Sequence, residues 1–227
     1  MNEKGKIKSE TKKSTYISLN EWIVKMKTTF ENAKQSPIFE KLQPVGYTEA
    51  RLTALLGRVA ALENLCEVQK MEQAEQNAET RKFNEKKDEI GGLFLKHRGL
   101  AKILFKKNLQ AQVALNLNTS VKTAYAEWLR QVSNFYSQIS KSPELIEEVK
   151  KIGITQAFVK HTQKEISSLS TLKESQKKET AEAQASTENR DQAFDALYEE
   201  YAELIAYAKI LLNGDQALEM LGIVVRR

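Results

Sequence analysis

At 227 residues the chain can bury a substantial core. Its 3 Pro and 9 Gly, among abundant Ala, Glu, Lys, Gln and Leu, are the composition of long helices and exclude a sheet protein. A single cysteine, Cys66, excludes an internal disulfide framework and any cysteine-based zinc cluster, and reads as a small residue on a helix. The formal charge of +5 is uneven, with residues 1–14 at +3, residues 15–118 at +4 and residues 119–227 at −2.

The split at 118/119 follows an internal repeat. At a shift of 106 residues Glu21-Trp22 falls on Glu127-Trp128, Phe30 on Tyr136 and Ser36-Pro37 on Ser142-Pro143. At a shift of 107 Gly46, Thr48 and Ala50 fall on Gly153, Thr155 and Ala157, and Ala101-Lys102-Ile103-Leu104 falls on Ala208-Lys209-Ile210-Leu211. The expected organisation is a basic, disordered tail over 1–14, a helical repeat over 15–118 and a second over 119–227. The lysine-rich tail has no apolar segment of the kind a secretory signal carries, and no later stretch approaches the roughly 20 apolar residues that span a bilayer. A soluble, cytoplasmic protein is the expectation.

Each copy opens with an amphipathic helix. Ser18 and Glu21 form a capping box, followed by Trp22, Val24 or Met26, and Phe30 on one stripe; Thr123, Ala124, Trp128, Leu129, Val132, Tyr136 and Ile139 repeat it. Trp22 and Trp128 are read as core anchors, as are Phe94 and Tyr201 further on. A short helix follows at Ser36-Pro37 (38–42) and at Ser142-Pro143 (144–151), with serine as cap and proline in the first turn. Gly46 and Gly153 are the stops, and Thr48 and Thr155 lie close to the next start.

From there each copy runs about sixty residues without proline. Leu52, Leu55, Val59, Leu62 and Cys66 step by three and four, as do Val159, Thr162, Ile166, Leu169 and Leu172. A polar middle follows, over 67–82 and 173–192, in which Ala74 and Ala78 match Ala181 and Ala185. Apolar spacing then returns at Ile90, Phe94, Ala101 and Leu104, matched by Leu197, Tyr201, Ala208 and Leu211. Either the middle is the tip of a hairpin, making each copy a spectrin-like three-helix unit, or one helix of about 90 Å continues through it and packs by its alanine stripe. Helix propensity favours the continuous helix. Gly91-Gly92 face Tyr198-Glu199 in the second copy and so predict a local weakness, not a shared turn. The fold class expected is all-α: two tandem repeats with long, coiled-coil-like helices in an elongated bundle.

Each copy closes with a short element over 108–117 and 215–223. In Ala208-Lys209-Ile210-Leu211-Leu212-Asn213-Gly214-Asp215-Gln216-Ala217-Leu218-Glu219-Met220-Leu221-Gly222-Ile223, Gly214 ends a helix, Asp215 caps the next, and Leu218 and Leu221 fold back. This stretch, with Ser142-Pro143-Glu144-Leu145 and Gly153-Ile154-Thr155, resembles closing segments of uncharacterised bacterial helical proteins that are often duplicated. The resemblance covers a third of the chain and implies no activity. The first copy departs from it, with Asn108 and Leu115-Asn116-Leu117 in place of Asp215 and Leu221-Gly222-Ile223.

Residue types that carry chemistry are sparse. His97 and His161 sit at non-equivalent positions, opposite Leu204 and Ala54, and the residues three before them are Phe94 and Phe158, which excludes the Glu-x-x-His signature of di-iron bundles. His161 with Glu165 reads as a surface pair four residues apart. There is no phosphate-binding glycine loop, nucleophile elbow or Cys-x-x-Cys. The expectation is a non-catalytic structural or adaptor protein with no cofactor and no metal, which assembles with itself or docks onto another helical protein. The expected interface joins the basic stripe Arg98, Lys102, Lys106 and Lys107 to Glu199, Glu200 and Glu203, head to tail between molecules whose halves differ in charge. The competing reading is nonspecific nucleic-acid association through the tail and Arg81, Lys82, Lys86 and Lys87, without specific readout.

Overall fold

The computed structural model describes residues 17–225, so the expected tail over 1–14 lies outside them. Among the described residues there is no strand. Eight α-helices follow in order: α1 (Leu19–Asn32), α2 (Ile38–Leu42), α3 (Glu49–Leu104), α4 (Leu109–Ala114), α5 (Tyr125–Lys141), α6 (Pro143–Lys150), α7 (Gln156–Leu211) and α8 (Ala217–Met220). The protein is all-α. α3 and α7 each run 56 residues without a break, about 84 Å at the α-helical rise; the hairpin alternative does not form.

Local chemistry sets the helix ends. The Ser18 hydroxyl accepts the Glu21 N–H at 3.3 Å while the Ser18 N–H donates to the Glu21 carboxylate at 2.7 Å, closing the capping box and holding that carboxyl below its ordinary range. Thr48 and Thr155 accept the N–H groups of Arg51 and Phe158, so equivalent threonines start α3 and α7. Ser142 caps α6 with Pro143 in its first turn, but the first copy differs. There the Ser36–Pro37 peptide is cis, Pro37 stands at the cap position, and the Ser36 hydroxyl donates to Glu40 at 2.7 Å instead of capping. Gly46 and Gly153 turn the chain at φ +96° and +84°.

The chain divides into two compact units, and neither is a single sequence repeat. One comprises the described residues through Gln69 together with those from Ser186; the other is Lys70–Ala185. The core of the first joins Ile23, Met26, Phe30, Leu42, Leu52 and Leu62 of the first copy to Leu197, Tyr201, Leu204, Ala208 and Leu218 of the second. The core of the second joins Ile90, Phe94, Ala101 and Leu115 to Trp128, Val132, Phe135, Tyr136, Val159 and Leu169. Each core therefore pairs the opening half of one copy with the closing half of the other. Within each unit the α3 and α7 segments run antiparallel: Arg51 meets Glu203 and Arg58 meets Glu200 in the first, and Thr80 meets Gln176 and Lys86 meets Glu165 in the second.

The stripes hold with a few exceptions. Met26 is fully buried and Val24 is 63% exposed, so the core stripe of α1 runs Ile23, Met26, Phe30. α5 starts at Tyr125, leaving Thr123 and Ala124 outside it. The alanine stripe does not pack: Ala74, Ala78, Ala181 and Ala185 are all exposed. The inward line continues the apolar seam through polar residues, with Gln76 and Thr80 half-buried before Phe83 on α3, and Gln176 and Thr180 half-buried before buried Ala183 on α7. Alanine can face water in a helix at no propensity cost, and the half-buried amides and hydroxyls bond one another, as Gln176 does to Thr80 at 3.3 Å.

Candidate functional site

The polar chemistry of the second unit gathers where α3, α5 and the segment joining the two copies meet. His97 is 7% exposed, and its Nδ1 lies 3.0 Å from the hydroxyl of fully buried Tyr136. Phe158 packs edge-on against the imidazole, ring centroids 4.9 Å apart. Burial, and after it Lys96, holds the imidazole below its ordinary pKa, and burial raises the Tyr136 phenol. Both groups are neutral at pH 7. One residue on, Arg98 is equally buried and its guanidinium donates to the carbonyls of Asn116 at 3.3 Å, Leu117 at 3.1 Å and Thr119. From α5, Gln131 donates to Ser120 O at 3.0 Å and Thr119 Oγ1 at 3.2 Å and accepts the Lys122 N–H at 3.0 Å. Arg98 and Gln131 together clamp the connection between the copies.

In the first unit the polar cluster lies between the start of α3 and the late part of α7. Arg51 reaches Glu200 at 2.9 Å and Glu203 at 3.0 Å, Arg58 also reaches Glu200 at 3.4 Å, and the Arg51 guanidinium lies over the buried Tyr47 ring at 4.2 Å. Burial raises the Tyr47 phenol, which Arg51 opposes.

Of the residues expected at an interface, Arg98 is buried and its Nη2 donates to backbone carbonyls, while Glu200 and Glu203 pair with arginines of their own unit. Lys102, Lys106, Lys107 and Glu199 are exposed, and Lys102 and Lys106 line a shallow cavity of about 380 Å³ with Gln112. The anchors Trp128 and Phe94 lie in one core. Trp22 and Tyr201 meet in the other as an edge-on pair, centroids 5.8 Å apart. In the run considered for nucleic acid, Lys82 pairs with Glu79, and Lys86 with Glu89 and Glu165. Glu165 thus goes to Lys86 rather than to His161. Cys66 is buried in the first core.

Tyr47, Arg51, Gln131 and the His97–Tyr136 pair were not singled out as polar partners in the sequence. Comparing the copies exposes all five: His97 stands opposite Leu204, Tyr136 opposite Phe30, Gln131 opposite Lys25, Tyr47 opposite Ile154 and Arg51 opposite Phe158. As for a metal, Glu72, Glu179 and Glu182 bring carboxylate oxygens within 4.8 Å of one another. Lys178 already pairs with both Glu179 and Glu182, and that ammonium supplies the positive charge. No helix among the described residues is long and apolar enough to cross a membrane. Comparison with family models, with curated proteins and with solved structures finds no match.

Proposed function

We propose that the chain is a non-catalytic structural or adaptor protein that associates with copies of itself through repeated helical surfaces. The observation that carries this reading is a matched pair of outward-facing isoleucines. Ile103 and Ile210 occupy the same Ala-Lys-Ile-Leu context at equivalent positions of the two copies, and each is 76% exposed. An isoleucine held outward at the same point of both copies has no packing role within the chain, and burying its side chain against a partner is worth about 2 kcal/mol. The polar groups support the reading too, because the buried ones serve helix packing and the connection between the copies. A cytoplasmic location and head-to-tail assembly between the basic first copy and the acidic second go with it.

The test is size-exclusion chromatography with light scattering, over a range of concentrations at low and high salt. Assembly that is lost in the double variant I103E/I210E is the expected result. A strict monomer at every concentration and salt overturns self-association.

A further inference from the structure

Each core needs both copies, and the same pair of faces builds both cores. In the first unit Leu52, Val59 and Leu62 of the first copy share a core with Leu197, Tyr201 and Ala208 of the second. The equivalent positions meet again in the second unit with the copies exchanged, Val159, Ile166 and Leu169 of the second copy sharing a core with Ile90, Phe94 and Ala101 of the first. The opening face of either copy is therefore shaped for the closing face of the other, and neither core closes within one copy. What makes the two copies of one chain meet is the stretch between α4 and α5. Residues 115–124 carry no helix or strand, and most of them are exposed. Thr119 is held there from both sides: its carbonyl accepts from Arg98 of the first copy and its hydroxyl from Gln131 of the second, at 3.2 Å. Opened out, these residues reach about 33 Å, about three helix diameters, which is enough to lead from one molecule to a neighbour.

We propose that the chain self-associates by exchanging copies: the first copy of one molecule packs with the second copy of another, and the remaining two copies pair in return. The partner is a second copy of this chain, and the interface is the one already formed within the monomer. Exchange gives up a bond at Thr119 and keeps every core contact, so the two arrangements differ chiefly in the connection and in the entropy of association. The connection gives the second copy of the same chain an effective concentration on the order of millimolar. The closed monomer therefore prevails in dilute solution, and exchange takes over where chains fold at a comparable local concentration. The inference rests on the self-association reading above, but it places the contact in the cores and not at the outward isoleucines.

The test uses the full chain without substitution. Equal amounts of natural-abundance and nitrogen-15 protein are unfolded together in urea, refolded over a range of concentrations up to that effective value, and separated by size. Carbodiimide then joins Lys86 to Glu165, which pair between the copies in the second unit, and Lys27 to Glu63, 3.7 Å apart within the first copy. Mass spectrometry of the digested dimer is expected to find about half of the Lys86–Glu165 pairs carrying both isotopes, as random partnering of chains gives, and the Lys27–Glu63 pairs carrying one. A dimer or larger assembly whose Lys86–Glu165 pairs all carry a single isotope overturns exchange and leaves association through the isoleucines standing. A chain that is monomeric at every concentration overturns both. Mixed isotopes at Lys27–Glu63 in equal measure mark indiscriminate cross-linking of aggregated chains and overturn exchange as well.

Discussion

The His97–Tyr136 bond invites the substitution that the protein has itself made elsewhere. The positions equivalent to His97 and Tyr136 hold Leu204 and Phe30, both fully buried in the first core. H97L alone strands the Tyr136 hydroxyl in a site with no exposure, and Y136F alone strands Nδ1 of His97; each costs about 1–3 kcal/mol, the penalty for an unpaired buried polar group. The double variant H97L/Y136F removes both and costs at most about 1 kcal/mol, for the space left beside Phe158. The single losses then exceed the loss in the double variant by a coupling energy of at least about 1 kcal/mol, read from urea denaturation of the four proteins. A second signature lies in pH. The imidazole binds a proton less readily in the fold than in the unfolded chain, so below the unfolded value of 6.5 the unfolded state takes up a proton that the folded state refuses. Stability then falls as pH drops from about 6.5 toward the depressed folded pKa, at up to about 1.4 kcal/mol per pH unit, and is unaffected by this group above that window. Between pH 7.5 and 5.5 the wild type should lose more stability than the double variant. Additive single variants, or the same acid loss in the double variant, would refute the reasoning.

Other expectations follow from single contacts. Asn116 holds a left-handed backbone at φ +51°, where its equivalent Gly222 has φ +74°; N116A should cost about 1 kcal/mol in thermal or urea unfolding and N116G close to nothing. R98M leaves three carbonyls of the connection without their donor and should cost about 2 kcal/mol, with faster hydrogen exchange confined to residues 117–123. T155A removes the hydroxyl that accepts the Phe158 N–H and should destabilise by about 1 kcal/mol, as T48A should at the matching cap. R51M releases Glu203 and leaves Glu200 to Arg58 alone, both carboxylates being partly exposed; the loss should be about 1 kcal/mol or less and should shrink as salt rises.

The helices and their ends were legible because their causes are local. Ser18 with Glu21, Thr48, Thr155, Ser142 with Pro143, and the left-handed glycines each act within four residues, and the seam from Leu52 to Cys66 is a periodicity of one segment. Which copy a seam packs against is not local. Leu52 and Leu62 carry the same pattern whether they meet Leu104 of their own copy or Leu197 and Leu204 of the other, and only the second arrangement forms. The alanine stripe misled for a related reason. Alanine suits either face of a helix, so in a polar stretch the inward side is set by the line drawn between flanking core residues, here from Leu62 and Cys66 to Phe83 and Ile90, and Ala74 and Ala78 fall off that line.

Differences between the copies divide into two kinds once the backbone is known. Asn108 and Asp215 each accept an N–H at the start of the closing turn, from Ala111 and Ala217, and Asn116 and Gly222 each adopt the left-handed conformation. These departures keep a side-chain acceptor and a left-handed turn in both copies, although Asn108 caps the six-residue α4 while Asp215 precedes Gln216, the cap position of the four-residue α8. Arg98 for Ile205 and Gln131 for Lys25 are of the other kind. After Leu115 the first copy continues into the 116–124 connection, whose carbonyls need donors and whose path must be fixed before α5 begins. Arg98 and Gln131 supply those bonds; in the first unit their counterparts do otherwise, Ile205 packing against the core and Lys25 lying over the Trp22 ring at 5.0 Å. Exchanging R98I and Q131K into the second unit should loosen the 116–124 connection while leaving α4 intact. That locality is what distinguishes a clamp for the chain from a general contribution to the core.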